Sequence, residues 1–146
     1  MTPSKRFSAI GHVLAVVDDP AAAPGIIPAL GAAGIEPNAV TLLRGAEGAE
    51  RIDATGEATG LTARFRQAMS FTLADQMPDF VLYEAALRDG RAVLGVPVSS
   101  DKAKLAIRDT LRDKGAHFIN FYGRFATEEL DLWRGPELEI PDVLRR

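Results

Sequence analysis

The sequence predicts an α+β domain that is built from two similar strand–helix–strand halves. Two short apolar runs, residues 13–17 and 93–98, are each followed by a polar turn, an amphipathic segment and then a glycine, Gly34 or Gly115. The first residue of each run precedes its glycine by 21 and 22 residues, respectively. Such a duplication is typical of the ferredoxin-like βαββαβ sandwich, so we expect a four-stranded antiparallel sheet. A small open parallel sheet is the alternative.

The first half begins with residues 12–17, an almost wholly apolar run that predicts a strand buried on both faces. Asp19 and Pro20 follow, and these residue types suit the N-cap and the first position of a helix. The helix is expected to end at Gly34, because glycine tolerates the left-handed conformation of a helix terminus. Residues 39–43 then predict the second strand.

The middle of the chain separates the two halves. Residues 44–60 carry four glycines among Glu, Ala and Thr, and this composition predicts a loop with a short strand near Arg51. The sequence assigns no role to this loop. Apolar residues recur at three- and four-residue spacing over residues 61–90, and this pattern predicts a helical insertion. Pro78 either divides the insertion into two helices or kinks a single one.

The second half repeats the order of the first. Residues 92–98 predict the third strand, which Pro97 places at a sheet edge or ends, because proline lacks a backbone donor. Residues 99–101, Ser-Ser-Asp, supply an N-cap for a helix over residues 101–114. Residues 117–122 predict the fourth strand. The helix is expected to expose its polar residues, which are Lys102, Lys104, Arg108, Arg112 and Asp113.

We therefore expect one ferredoxin-like domain over residues 1–125, with the helical insertion at residues 61–90. Residues 126–146 lack clear periodicity but contain apolar side chains that would not remain free in water. This segment predicts a C-terminal arm that packs on its own domain or on a partner subunit.

The composition narrows the classes of function. The chain has 146 residues, a net charge of −3 and dispersed basic residues, which disfavours nucleic acid as a partner. It has no cysteine, which excludes disulfides, thiolate chemistry and cysteine-ligated metals. No apolar run reaches the ~18–20 residues that a membrane span needs, and no signal peptide is evident. A cytoplasmic location is the expectation.

The sequence contains no recognisable catalytic set. The two histidines, His12 and His117, occupy matching positions at strand starts and fit ordinary structural roles. Ser100 fits a helix cap better than a nucleophile, and Asp18 and Asp19 fit caps better than Mg²⁺ ligands. No nucleotide fingerprint or metal-binding spacing occurs. We assign no catalytic residue, no metal site and no cofactor, and enzymatic activity stays open.

Aromatic residues concentrate in the fourth strand and the arm. An apolar open face of a sheet is where such domains dimerise or bind small molecules, although the same residues also fit a core under the inserted helices. The predicted interface residues are Phe118, Phe121, Phe125 and Trp133. The candidate ligand-binding residues, between the sheet and the insertion, are Tyr83, His117, Tyr122 and Arg124.

Residues 83–90, Tyr-Glu-Ala-Ala-Leu-Arg-Asp-Gly, and the strand that follows them resemble the small bacterial general-stress, heat-induced α/β proteins. The matching positions are Tyr83, Glu84, Leu87 and Gly90, and the likeness in plan covers residues 12–122. The glycine-rich middle helices of that family are missing here. The resemblance implies a ferredoxin-like or related fold and a stress-linked role, and it implies no catalytic residues.

Three hypotheses of function follow. The first is a non-catalytic stress-related or regulatory module that self-associates as a homo-oligomer. The second is a small-molecule-binding domain or cofactor-free enzyme with a pocket between the sheet and the inserted helices. The third is a structural subunit of a larger assembly that docks through its C-terminal arm.

Overall fold

A computed structural model describes residues 8–52, 77–123 and 126–134 of the chain. In these ranges the protein is an α+β fold in which one antiparallel sheet carries helices on both of its faces. Two short 3₁₀ turns, Leu30–Ala33 and Pro37–Ala39, lie between the first helix and the second strand. The elements in chain order are β1 His12–Val17, α1 Ala23–Ala29, β2 Thr41–Arg44, α2 Gly45–Ile52, α3 Met77–Arg88, β3 Ala92–Pro97, α4 Asp101–Asp113, β4 His117–Tyr122 and β5 Thr127–Asp131.

The strands form a sheet of order β2-β3-β1-β4-β5 in which every neighbouring pair is antiparallel. The described part therefore has five strands where the sequence predicted four. The additional strand, β5, comes from the segment that was predicted to be an arm, and it pairs with β4. The antiparallel pairing excludes the alternative of a small open parallel sheet.

The third strand lies inside the sheet, between β2 and β1. Pro97 has no backbone N–H to donate to the ladder. The sheet tolerates this because Pro97 is the last residue of β3 and lies opposite His12 at the end of the ladder. Of the two predicted consequences of Pro97, an edge position or a strand end, the structure shows the second.

Each face of the sheet has its own apolar core. Alternate residues of the central strands point to opposite faces, as Val13 and Leu14 do on β1. One core contains Leu14 and lies under α2 and α3. The other contains Val13 and lies under α1 and α4. The sequence did not determine whether the second face of the sheet is solvated or covered. In the structure, α2 and α3 cover it.

The two strand-to-helix turns differ in how the helix begins. Ser100 is the N-cap of α4, and its Oγ accepts a hydrogen bond from the Ala103 N–H at 3.1 Å, as predicted. Asp19 is not the N-cap of α1, because that helix begins only at Ala23. The Asp19 carboxylate instead accepts a hydrogen bond from the Ala21 N–H at 3.0 Å and so closes the turn before the helix.

The sequence predicted a loop over residues 44–60, with a strand near Arg51. Both predictions are wrong for residues 45–52, because these residues form α2. The glycines suggested a loop, but Ala49 and Ile52 occur at helical spacing and are buried against the sheet. Residues 53–60 lie outside the described residues. So does most of the predicted insertion at 61–90, of which α3 is the described helix and begins at Met77.

Lys104 is buried, whereas the sequence predicted that α4 would expose it. The reason is β5, which brings Glu128 into an ion pair with the Lys104 ammonium group. The ammonium also lies 5.0 Å from the centre of the Phe121 ring. The hydrogen bond to Glu128 raises the pKa of Lys104, and burial offsets this rise only in part. Lys104 therefore attaches α4 to the additional strand.

No helix within residues 8–52, 77–123 and 126–134 combines the length and the apolar character that crossing a membrane requires.

Candidate functional site

A cluster of charged and aromatic side chains lies at one end of the sheet, where four chain segments meet. In the antiparallel ladders, Val17 lies opposite Ala92 and Val16 lies opposite His117. The end of β1 therefore meets the starts of β3 and β4 at this end. The pairing of β4 with β5 brings in the residues that follow Asp131. We call this group the sheet-end cluster; its members are Asp18, Arg91, His117, Trp133 and Arg134.

Asp18 links the starts of the two neighbouring strands. The His117 Nε2 atom lies 2.7 Å from Asp18 Oδ1, and the Arg91 Nε–H donates to the same oxygen at 2.9 Å. Arg91 also pairs with Asp89. The His117 side chain is only 3% exposed, whereas that of Asp18 is 52% exposed. The cluster thus joins a buried imidazole to a carboxylate at the surface.

Both nitrogens of the His117 ring are engaged. The backbone N–H of Arg134 donates to His117 Nδ1 at 3.0 Å, so Nδ1 carries no proton in this arrangement. The ring proton therefore sits on Nε2 and is donated to Asp18. A general base needs a ring nitrogen within reach of a substrate proton, and neither nitrogen of His117 has that freedom here.

The charges of the cluster shift two ionisation equilibria. Burial raises the pKa of Asp18, but the hydrogen bonds from His117 and Arg91 outweigh burial and hold the pKa below its ordinary value. Burial lowers the pKa of Arg91, and the hydrogen bonds to Asp89 and Asp18 more than restore it. Asp18 is therefore ionised throughout the neutral and mildly acidic range.

Trp133 covers the cluster from the side of β5. Its ring is edge-on to the His117 ring, with 4.7 Å between ring centroids, and edge-on to the Phe118 ring at 5.9 Å. The guanidinium carbon of Arg91 lies 5.7 Å from the centre of the indole. The Arg134 guanidinium donates to the Ala116 carbonyl at 2.9 Å and pairs with Asp131. The C-terminal part of the described chain is thereby attached to the sheet.

A second group of polar atoms is fully inside the fold, at an irregularity between β1 and β4. Leu14 lies opposite Asn120 and Val16 opposite His117, so two residues of β4 face one residue of β1. Phe118, one of the two, has φ of 49° and lies in the left-handed region that favours glycine.

The hydroxyl of Tyr83 occupies the centre of this bulge. It lies 2.8 Å from the Phe118 carbonyl and 3.1 Å from the Leu14 carbonyl, and it accepts a hydrogen bond from the Asn120 amide at 3.0 Å. A bulge interrupts the ladder between strands, and the hydroxyl supplies partners for the polar groups at that interruption. The tyrosine therefore stabilises the strained position of Phe118.

The structure separates the candidate ligand-binding residues into two places. Tyr83 of α3 and Tyr122 of β4 are fully buried between that helix and the sheet, with 6.2 Å between their ring centroids, whereas His117 belongs to the sheet-end cluster. Arg124 lies outside the described residues. The assignment of these four residues to a ligand site stays a prediction.

The candidate interface residues are also divided. Phe118 is buried beside Tyr83 and Trp133, while Phe121 and Trp133 are half-buried. Phe121 contributes to the core under α4, and Trp133 to the sheet-end cluster. Phe125 lies outside the described residues. Their role in an interface stays a prediction.

Sequence reasoning missed Arg91, Asn120 and Arg134 as members of the two polar groups. Arg91 and Asp18 are 73 positions apart and His117 and Asp18 are 99 apart, so no local spacing connects them. The one available signal was that Asp18 and Arg91 directly flank the two runs that form β1 and β3.

Among the residues that the structure describes, no three His, Asp or Glu side chains are grouped closely enough to hold a metal ion. Comparisons of the chain with protein-family models, with curated proteins and with solved structures found no match.

Proposed function

We propose that this chain is a ferredoxin-like domain that acts as a non-catalytic, stress-related or regulatory module and self-associates through the β2 edge of its sheet. The strand order supports the proposed fold. β1 and β3 lie side by side in the middle, with β2 and β4 outside them. The units β1-α1-β2 and β3-α4-β4 are the two halves, and α1 and α4 pack on the same face.

The engagement of the buried polar groups supports a non-catalytic role. Both ring nitrogens of His117 and the hydroxyl of Tyr83 form hydrogen bonds within the chain. Groups that act on a substrate need an accessible nucleophile or base, and these side chains are instead used to join strands. The resemblance of residues 83–90 to general-stress proteins supports the stress-related part of the proposal.

The contrast between the two sheet edges carries the proposal of self-association. Edge strands present unpaired backbone groups, and natural proteins protect such strands with charged residues. β5 is protected by Glu128, Glu129 and Asp131. β2 reads Thr-Leu-Leu-Arg and has one charge, at its last residue, Arg44. Within the described residues β2 pairs only with β3, so its outer side is suited to a second strand.

A second copy of the same chain fits this edge about a two-fold axis. Opposed residues in an antiparallel pair lie on the same face of the sheet, so the axis must lie midway between the two copies of one residue. An axis midway between the two Leu42 residues places their side chains opposite each other and places Val40 opposite Arg44 of the second copy. The same pairing between two β5 edges would oppose acidic residues.

The first experiment measures the mass of the full chain by size-exclusion chromatography with light scattering at micromolar concentration. We expect a dimer for the natural sequence and a monomer for Leu42→Lys, because the substitution places like charges across the axis. Leu105→Lys is the matched control, since Leu105 is exposed on α4 and far from β2 in the sequence. A monomeric natural chain would refute self-association.

A charge-reversal pair tests the register. Val40→Lys places a cation opposite Arg44 of the second copy and should weaken the dimer. Adding Arg44→Glu to that variant should restore the dimer, because each new lysine then faces a glutamate. A dimer that survives Leu42→Lys and Val40→Lys unchanged would show that another surface joins the copies.

A further inference from the structure

The sheet-end cluster holds the last described residues of the chain against the sheet. We call residues 132–134 the latch. The Phe118 N–H donates to the Leu132 carbonyl at 2.9 Å, Trp133 packs on His117, and the Arg134 N–H donates to His117 Nδ1. The latch is also held by the Arg134 guanidinium, which donates to the Ala116 carbonyl, and by the contacts of Trp133 with Phe118 and Arg91. One imidazole ring therefore contacts two of the three latch residues.

The hydrogen bond from the Arg134 backbone N–H to His117 exists only while the His117 ring is neutral. A neutral imidazole has one nitrogen that donates and one that accepts, and here Nδ1 is the acceptor. Protonation of Nδ1 places an N–H opposite the Arg134 N–H, so two donors face each other and the hydrogen bond is lost. The ring keeps its other contact, because Nε2 still donates to Asp18.

The charged groups around His117 have opposite effects on its protonated ring: the carboxylate of Asp18 stabilises it, and the neighbouring arginines destabilise it. Asp18 favours the protonated ring, and it is ionised because its pKa lies below its ordinary value. Arg91 from the segment before β3 and Arg134 of the latch carry like charges, and each is partly neutralised by its own carboxylate, Asp89 or Asp131. On the side of α4, Arg112 lies 3.7 Å from Asp131. Asp18 therefore stabilises the protonated His117 ring, whereas the N–H that protonation adds at Nδ1 faces the N–H of Arg134 in the latch.

We propose that His117 is a proton-operated switch that holds the latch while its ring is neutral and releases the latch when Nδ1 is protonated. Release removes Trp133 from the rings of His117 and Phe118 and leaves the Phe118 N–H without the Leu132 carbonyl. The β4 end of the sheet and the aromatic ring of Phe118 then become accessible. The switch does not depend on self-association through β2.

The single tryptophan of the chain, Trp133, reports the state of the latch directly. The experiment records the emission maximum and acrylamide quenching of the full chain between pH 8 and pH 5, the interval in which histidine changes charge. We expect the emission maximum to move to longer wavelength and quenching to increase as the pH falls. The emission maximum is preferred to intensity, because a charged imidazole also quenches a neighbouring indole. The far-UV circular dichroism should stay constant over the same interval.

Three variants assign the transition. His117→Gln cannot take up a proton and should abolish it, whereas His12→Gln, which removes the other histidine, should preserve it. Asp18→Asn removes the carboxylate that stabilises the charged ring and should move the midpoint to lower pH. If His117→Gln fails to fold, the Asp18→Asn midpoint decides.

Four results would overturn the proposal. They are a tryptophan signal that does not change between pH 8 and pH 5, a transition that persists in His117→Gln, a midpoint that stays or rises in Asp18→Asn, and a transition that coincides with loss of the far-UV signal. The last of these would show that the whole fold, rather than the latch, responds to acid.

Discussion

Tyr83 connects three elements of the fold through a single oxygen atom. Its ring is fully buried between α3 and the sheet, 5.0 Å from the Phe118 ring, and its hydroxyl contacts β1, β4 and the side chain of Asn120. A buried hydroxyl without hydrogen-bond partners lowers the stability of the fold. Its loss lowers the stability in the same way, because its partners are then left buried and unpaired. The polar centre of an otherwise apolar core thus depends on one residue of α3.

Replacement of Tyr83 by phenylalanine tests this role. Tyr83→Phe keeps the ring but leaves the buried Asn120 amide without its acceptor, so we expect the free energy of unfolding to fall by about 1–3 kcal/mol. Urea denaturation measures the change. Asn120→Ala provides the control in a double-mutant cycle, in which the two substitutions should be strongly non-additive. Additive effects would show that the two groups do not interact.

At the scale of elements, α2 shows how close packing uses a glycine within a helix. A Cβ atom on Gly48 would lie 3.0 Å from the Leu43 carbonyl carbon and 3.1 Å from its Cβ atom. The helix therefore approaches β2 more closely than any larger residue allows. Gly25 in α1 is exposed and has no atom within 4 Å of the same position.

The same substitution at these two glycines should have opposite effects. Gly48→Ala forces α2 away from Leu43 and should destabilise the fold by about 1–3 kcal/mol, because overpacking exceeds the gain in helix propensity. Gly25→Ala meets no obstacle and should stabilise it by about 0.5–1 kcal/mol. Thermal or urea unfolding of both variants measures the difference. Equal effects would mean that α2 does not pack on Leu43 as the structure shows.

At the scale of the whole molecule, β1 is the structural centre. It pairs with strands on both sides, and five of its six residues are buried between the helical layers. β5 pairs on one side with β4 and has a largely polar, partly exposed sequence. Local opening costs more free energy where both burial and pairing are greatest.

Amide hydrogen exchange should follow this gradient. We expect the slowest exchange in β1, similar protection in β3, and the fastest exchange among the strands in β5, with the largest difference between β1 and β5. Exchange measured by mass spectrometry or NMR at neutral pH gives the order. Protection of β5 equal to that of β1 would contradict the assignment of β5 as a peripheral strand.

The amount of structure that was predictable differs between parts of the chain. The sequence predicted β1 and β4 with their observed bounds and placed β3 within one residue, because buried strands are short continuous apolar runs. It missed β5, whose acidic residues do not form such a run, and α2, whose glycines suggested a loop. Both of these elements owe their conformation to the surfaces against which they pack.

The sequence alone determined where β1, β3 and β4 lie along the chain, that a helix follows Ser100, and that the chain has no cysteine chemistry. The tertiary structure decided which residues meet. Asp18, Arg91, His117 and Arg134 come together only through strand pairing. The physical reason is the separation in sequence over which each kind of interaction acts. Burial periodicity and capping act between neighbours in the sequence, whereas the His117 ring finds its hydrogen-bond partners at Asp18 and Arg134, which are far apart in the sequence.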